Sequence, residues 1–195
     1  SWTAFEDILA TAQKFVDQGK IRYLGLSNET PYGLSKYLHL ASTHKFPRVV
    51  SVQNPYSLIN RTYEVGMAEM SVREKVGLLA YSPLAFGMLT GKYLNGQMPE
   101  GSRLKLYSKN FPRYQGTRSQ LAVEEYYKIA QKYEMSLTQM SLAFVNMQPF
   151  VDSNIIGATN MKQLEENINS IHIDLSDEII KDINAIHENN PSPAP

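Results

Sequence analysis

Apolar residues recur along the chain with two alternating periods, one helical and one extended. From Phe5 to Val16 the apolar positions are spaced to lie on one face of a helix. The apolar segments further along are short and nearly continuous, which is typical of strands that are buried on both faces. Four strands are predicted in this way: Ile21–Leu26, Arg48–Gln53, Val76–Tyr81 and Ser153–Ala158.

Helical patterns separate these strands. Pro31 suits the first turn of a helix, and Ser136 and Asn160 each precede a glutamine at the spacing of a capping box. Ser176 is a simpler N-cap. Helices are therefore predicted near 31–43, 62–73, 119–134 and 137–147, and from Asn160 and Ser176 onward. The alternation of strands with helices predicts an α/β fold with a parallel sheet.

One stretch interrupts this alternation. Residues 94–117 show no clean period and contain three glycines and two prolines. A loop of this length within an α/β unit is more often functional than accidental. Between Lys92 and Arg118 there are six basic residues and one acidic residue, so this stretch has a net charge of +5 and the rest of the neutral chain has −5.

Composition narrows the class of protein. The balance of 19 basic and 19 acidic residues argues against a protein that binds nucleic acid by neutralising many phosphates. No run of about 18 apolar residues and no signal peptide is visible, so we expect a cytoplasmic protein without a membrane span. The absence of cysteine excludes disulfides and thiolate chemistry, and the four histidines lack metal-ligand spacing, so no metal site is predicted.

The carboxyl ends of the predicted strands are where a ligand would bind in a parallel α/β sheet. Amide and hydroxyl groups at these ends can hydrogen-bond a carboxamide, and Tyr81 offers a flat face to a planar ring. The turn at 157–159 leads directly into a helix, which is a natural phosphate site. Together these groups predict a phosphorylated, ring-bearing ligand. The strand ends in question are Ser27-Asn28, Gln53-Asn54, Tyr81-Ser82-Pro83 and Gly157-Ala158-Thr159.

Each of these features also has a purely structural interpretation. Asn28 and Asn54 can serve only to shape turns, and Tyr81 can be a core aromatic. Gln163 can be only a capping residue, and the basic stretch can be merely solvated. The functional interpretation is favoured because the candidates follow four strands in succession.

Segments at these strand ends resemble the second half of an aldo-keto reductase. In the order found in that family, they are GKIRYLGLSNE (19–29), VQNPYSLINR (52–61), AYSPLAFGMLTGKY (80–93) and GATNMKQLEENI (157–168). In sequence, these segments are most similar to the bacterial Tas-type branch of the family, which is close to the potassium-channel β-subunit branch. The resemblance extends from the first helix to the last.

The resemblance implies a (β/α)₈ TIM barrel, with the four strands here at barrel positions five to eight. Residues 1–188 are then the carboxyl-terminal half of the barrel, and 189–195 form a loose tail. Four strands cannot close an eight-stranded barrel, so the missing amino-terminal half or another chain is expected as a partner. The opening Ser1-Trp2-Thr3, without methionine, is interpreted as a cut edge.

The resemblance also implies NADP(H) as the cofactor. Ser27, Asn28 and Gln53 would hold the nicotinamide carboxamide, with Tyr81 stacked beneath the ring, and Arg103 matches an arginine frequent in the family's long loop. The pyrophosphate and ribose would lie along Ser82, Pro83, Leu84, Ala85, Gly87, Leu89, Thr90 and Lys92. The adenosine and 2′-phosphate would be held by Gly157, Thr159, Gln163, Glu166 and Asn167.

The family reduces aldehydes and ketones with a tetrad of Asp, Tyr, Lys and His that belongs to the first four barrel strands. No catalytic residue is therefore assigned in this chain, which is predicted to be an inactive fragment of an NADPH-dependent oxidoreductase. The alternative is a non-catalytic NADP-binding barrel with a regulatory or redox-sensing role, as in channel β-subunits. A third possibility is an unrelated parallel α/β enzyme with another phosphorylated ligand.

Overall fold

The computed structural model describes residues 3–107, 109 and 111–195. Within them, four parallel strands form a single sheet in chain order. The opening Ser1 and Trp2 lie outside the described residues. The strands are β1 (Leu24–Ser27), β2 (Val49–Pro55), β3 (Gly77–Tyr81) and β4 (Val151–Asn154).

Helices connect and flank the strands. Among the described residues, none of these helices combines the length and apolar character needed to cross a membrane. Short 3₁₀ turns occupy much of the remaining chain, including Thr62–Glu64 and Ala85–Thr90. The helices are α1 (Phe5–Asp17), α2 (Pro31–His44), α3 (Met67–Glu74), α4 (Arg103–Tyr107), α5 (Thr117–Lys132), α6 (Leu137–Asn146), α7 (Met161–Asn169) and α8 (Asp177–Asn189).

The predicted strands and helices are present, but several bounds differ. The fourth strand lies earlier than its predicted range of 153–158, and beyond Asn154 one further ladder bond joins the Ile155 amide to the Ala80 carbonyl. The predicted helix at 62–73 is broken, because Gly66 has φ +90° and a right-handed helix cannot contain that conformation. The predicted loop at 94–117 contains α4 and 3₁₀ turns.

The two predicted capping boxes, at the starts of α6 and α7, differ in the structure. Ser136 and Gln139 form the full capping box, with each side chain accepting from the other residue's backbone N–H at 3.0 and 3.1 Å. Asn160 caps α7 by accepting from the Gln163 amide, but the Gln163 side chain binds Thr159 instead of Asn160. The second capping box is therefore only half formed.

The two faces of the sheet have different surroundings. Because side chains alternate along each strand, Val52, Leu78 and Ala80 point to one face, where they belong to the main hydrophobic core. The register places Ser27, Gln53, Leu79 and Ser153 side by side on the opposite face. Three of these four residues are exposed, so no described element covers that face. A sheet covered on one side only is the geometry expected of half a barrel.

The carboxyl-terminal segment 189–195 lies against the body of the chain. Ala194 is fully buried, and its amide donates to the Ile59 carbonyl at 3.0 Å. Asn190 exchanges two hydrogen bonds with Arg118, each of 2.9 Å. This packing differs from the loose tail expected from a polar, proline-rich composition, since bonds from distant residues hold the segment.

Candidate functional site

The carboxyl ends of β1, β2 and β3 bring polar side chains together at one edge of the sheet. Ser27 and Gln53 are paired in register, and both are exposed. Asn28 follows β1, and its side-chain oxygen accepts a hydrogen bond from the Tyr81 hydroxyl at 2.7 Å. The structure thus unites the four residues expected around the carboxamide and ring of a ligand.

The backbone of Asn28 is held in an unusual conformation. Its φ is +54°, in the left-handed region that asparagine tolerates better than most residues. Its amide donates to the Gln53 carbonyl, and the side chain of Asn54 binds the next residue, Glu29, at both backbone N–H and C=O. Asn54 is buried, so it shapes this turn and does not face a ligand.

The loop after β3 is compact and partly buried. Ser82, Ala85 and Phe86 all have positive φ between 47° and 60°. Pro83, Ala85 and Leu89 are buried, so their side chains belong to the core and they can offer a ligand only backbone atoms. Of the remaining loop candidates, Ser82, Leu84, Gly87, Thr90 and Lys92 are partly exposed.

Gly87 is needed in this loop for two reasons. Its φ is +95°, and a Cβ at this position would lie 2.9 Å from Lys92 Cε. Thr90 donates from its hydroxyl to the Gly87 carbonyl at 2.9 Å and so closes the turn. The glycine allows the Lys92 side chain to fold back over the loop, with its ammonium 5.2 Å from the Tyr93 ring centroid.

Arg103 connects this loop with the far end of the sheet. Its guanidinium lies 5.4 Å from the Phe86 ring centroid. One terminal nitrogen lies 3.6 Å from the position that a Cβ on Gly157 would occupy. The sequence-predicted arginine of the long loop and the turn after β4 are therefore neighbours.

The turn after β4 is fastened to α7. The Gln163 side-chain oxygen accepts from both the amide and the hydroxyl of Thr159, at 2.9 and 3.0 Å. The buried Asn167 donates to the Gly157 carbonyl at 3.2 Å. Gln163 therefore acts as a local cap, as its structural interpretation predicts. Its side-chain nitrogen takes no part in the two bonds to Thr159.

A set of hydrogen bonds supports the turn after β4. It involves Glu166 and several residues that were not singled out from the sequence. The Ser136 hydroxyl, which caps α6, donates to Glu166 at 2.6 Å. Asn154 donates to Asn146, which in turn donates to Ser170 on the other side. Ser170 donates to the Asn167 carbonyl at 2.6 Å. No local pattern marks these asparagines, because their partners come from separate elements.

Five of the six basic residues of the stretch fall into two groups. Lys105 pairs with Glu100, while Arg113 and Arg118 donate to the carboxyl-terminal segment. Within the described residues, neither Lys92 nor Arg103 forms an ion pair. Two uncompensated positive charges therefore lie beside the strand ends, which favours an anionic ligand there.

A separate cavity of about 230 Å³ lies beside segment 93–98. Its lining includes Met88, Leu104 and Val123 but none of the candidate site residues. The candidate site is therefore an open surface at the strand ends, distinct from this partly open cavity.

These features define a class of protein: a parallel α/β half-barrel with amides, an aromatic ring and free cations at the carboxyl ends of its strands. Comparison with known sequences agrees with this class. The model of the aldo/keto reductase family matches residues 1–188, and the chain belongs to that family. The predicted family and the predicted second half of an α/β barrel are thus confirmed.

Several curated relatives are similar to this chain and longer than it. Protein tas of Escherichia coli K12 is 50% identical over 201 aligned positions, which cover 100% of this chain and 58% of that protein. The L-glyceraldehyde 3-phosphate reductase of the same strain is 31% identical, covering 87% of this chain and 50% of the relative. A putative voltage-gated potassium channel subunit beta of Schizosaccharomyces pombe is 30% identical, covering 93% and 54%. The chain thus spans between half and three fifths of these relatives.

Proposed function

We propose that this chain is the NADP(H)-binding part of an aldo-keto reductase that acts on a small-molecule carbonyl in the cytoplasm. The observation that carries the proposal is the convergence of Asn28, Gln53 and Tyr81 at the open carboxyl ends of three adjacent strands. When bound, the nicotinamide would supply or accept the hydride.

The donor set fits the nicotinamide end of this cofactor. The side chains of Ser27, Asn28 and Gln53 are exposed and offer hydroxyl and amide groups that match a carboxamide. The partly exposed Tyr81 ring offers a face for stacking. These residues would bind and orient the ring on the uncovered face of the sheet.

The donor set also fits the phosphate end. Arg103 and Lys92 are cations without an acidic partner in the described chain, and Arg103 lies next to Gly157. The N-terminus of α7 follows the same turn, so backbone N–H groups add to the positive potential. The Gln163 amide nitrogen and Glu166 would complete the adenosine side.

A second candidate function rests on the similarity to the putative channel subunit of Schizosaccharomyces pombe. In that case the same cofactor site would serve a regulatory, non-catalytic barrel. Turnover separates the two functions: an aldehyde-dependent loss of NADPH absorbance with the full-length protein supports the reductase, and cofactor binding without turnover supports the regulatory barrel. We propose no catalytic residue in residues 1–195.

Titration of the 195-residue chain with NADPH, followed by protein NMR, tests the cofactor site because this method detects weak binding. Arg103→Ala should weaken binding by about tenfold, since a hydrogen-bonded charge contact to phosphate is lost. Arg113→Ala is the matched control from the same basic stretch and should leave binding within about twofold. No shift with NADPH, or equal losses in the two variants, would contradict the proposed site.

A further inference from the structure

The contact between Tyr81 and Asn28 joins two residues that lie 53 positions apart in the sequence. Their strands, β3 and β1, are not neighbours, because β2 lies between them. The 2.7 Å hydrogen bond from the Tyr81 hydroxyl to Asn28 Oδ1 therefore spans the end of the middle strand. Stacking of a ligand on the Tyr81 ring does not require this hydroxyl.

Asn28 needs support because its side chain is exposed. Its backbone is already fixed by the Gln53 carbonyl and by the hold of Asn54 on Glu29. Its side chain has one other described contact, a long bond of 3.3 Å to the Ser27 hydroxyl. Without Tyr81, the amide would sample other rotamers and would have to be ordered when a ligand binds.

We propose that Tyr81 is a positioning residue for Asn28: its hydroxyl holds the amide in place before the nicotinamide end of the cofactor arrives. The inference rests on the proposed function. It assigns Tyr81 two separable roles, a ring that contacts the ligand and a hydroxyl that acts through Asn28. The oxygen of the amide is engaged by Tyr81 and one amide N–H makes the long bond to Ser27, so the other N–H remains to donate to the carboxamide.

A double-mutant cycle tests this coupling, with NADPH binding measured by NMR titration. Tyr81→Phe keeps the ring and should weaken binding roughly threefold to tenfold, the cost of ordering one side chain. In an Asn28→Ala background the same substitution should have no further effect, because the group that the hydroxyl positions is gone. Tyr127→Phe, which removes a hydroxyl far along the chain on α5, is the matched control and should leave binding unchanged.

The outcomes separate the two proposals. If wild-type chain fails to bind NADPH, the proposed function is wrong and the positioning role falls with it. If NADPH binds but Tyr81→Phe binds equally well, or if its effect persists in Asn28→Ala, only the positioning role is wrong. Binding of adenosine 2′,5′-bisphosphate, which lacks the nicotinamide, should be unchanged in Tyr81→Phe, and a loss there would indicate a general structural defect and overturn the positioning role.

Discussion

Arg61 joins distant parts of the chain through its side chain and backbone. Its guanidinium donates to Glu64 and to Asn184 on α8, and its backbone amide donates to Ser192 in the terminal segment. Burial would raise the pKa of Glu64, but hydrogen bonds from Arg61 and Tyr56 outweigh burial and lower it. The charge pair is largely desolvated, since the Arg61 side chain is only 11% exposed. Removal of one partner should therefore lower the free energy of unfolding far more than removal of one partner of a surface pair.

His187 on α8 lies beside this ion pair and gives a prediction about pH. Burial, followed by the positive charge of Arg61, lowers the pKa of His187 below its ordinary 6.5, although Glu64 and Glu188 oppose the shift. The unfolded chain therefore takes up a proton at a higher pH than the folded chain does. The contribution of His187 to stability is complete above pH 6.5 and is lost as the pH falls through the lower folded value.

Urea unfolding at pH 7.5 and 5.5 measures this effect. The wild-type chain should lose free energy of unfolding at the lower pH, and His187→Gln should lose less. His39→Gln, at an exposed position of α2, is the control and should follow the wild type. An equal pH dependence in His187→Gln and wild type would contradict this prediction, because it would show that His187 does not contribute to the pH dependence of the stability.

At the scale of elements, α6 is the most enclosed helix of the described chain. Every residue from Leu137 to Val145 is buried except Gln139. Such a helix depends on its first turn, since N–H groups left without partners in a buried site are costly. Ser136 satisfies that turn and also donates to Glu166 on α7.

Ser136→Ala should therefore lower the free energy of unfolding by about 2 kcal/mol or more, through the lost cap and the lost bond to a carboxylate. Ser176→Ala is the matched comparison, because Ser176 caps α8 through a single long bond of 3.4 Å to Ile179. Ser176→Ala should lower the free energy of unfolding by about 0.5–1 kcal/mol. Urea denaturation of both variants measures the difference, and equal losses would refute the added role of Ser136.

At the scale of the whole molecule, the sheet has one uncovered face and two edge strands. Ile155 continues the β4 edge and is 40% exposed. Tyr23, which precedes β1 at the other edge, is 76% exposed. Unpaired edges with apolar neighbours promote association between chains.

The 195-residue chain should therefore self-associate as its concentration rises. Light scattering after size-exclusion chromatography measures this, with species heavier than 22.1 kDa expected. Ile155→Lys places a charge at the β4 edge and should reduce association. Leu121→Lys on α5 is the control, since it changes an exposed apolar residue on a helix instead of a strand edge. A monomer that unfolds cooperatively at all concentrations would contradict this prediction.

The sequence by itself determined the elements and the neighbourhood of the candidate site. Apolar periods, Pro31 and the caps at Ser136, Asn160 and Ser176 mark the helices, and short apolar runs mark the strands. These signals are local, because a cap or a helical face involves residues within about four positions. The strand ends then indicated the candidates at 27–28, 53–54, 81–83 and 157–159, and the resemblance to the family added Arg103 and the remaining loop and α7 residues.

Only the tertiary structure decided how those residues work together. The hold of Asn54 on Glu29 joins residues 25 positions apart, and the Tyr81–Asn28 bond joins residues 53 apart. Arg103 beside Gly157 and the docked tail at Ala194 likewise depend on long-range packing. Strand order and register create these contacts, and neither is encoded in a local period.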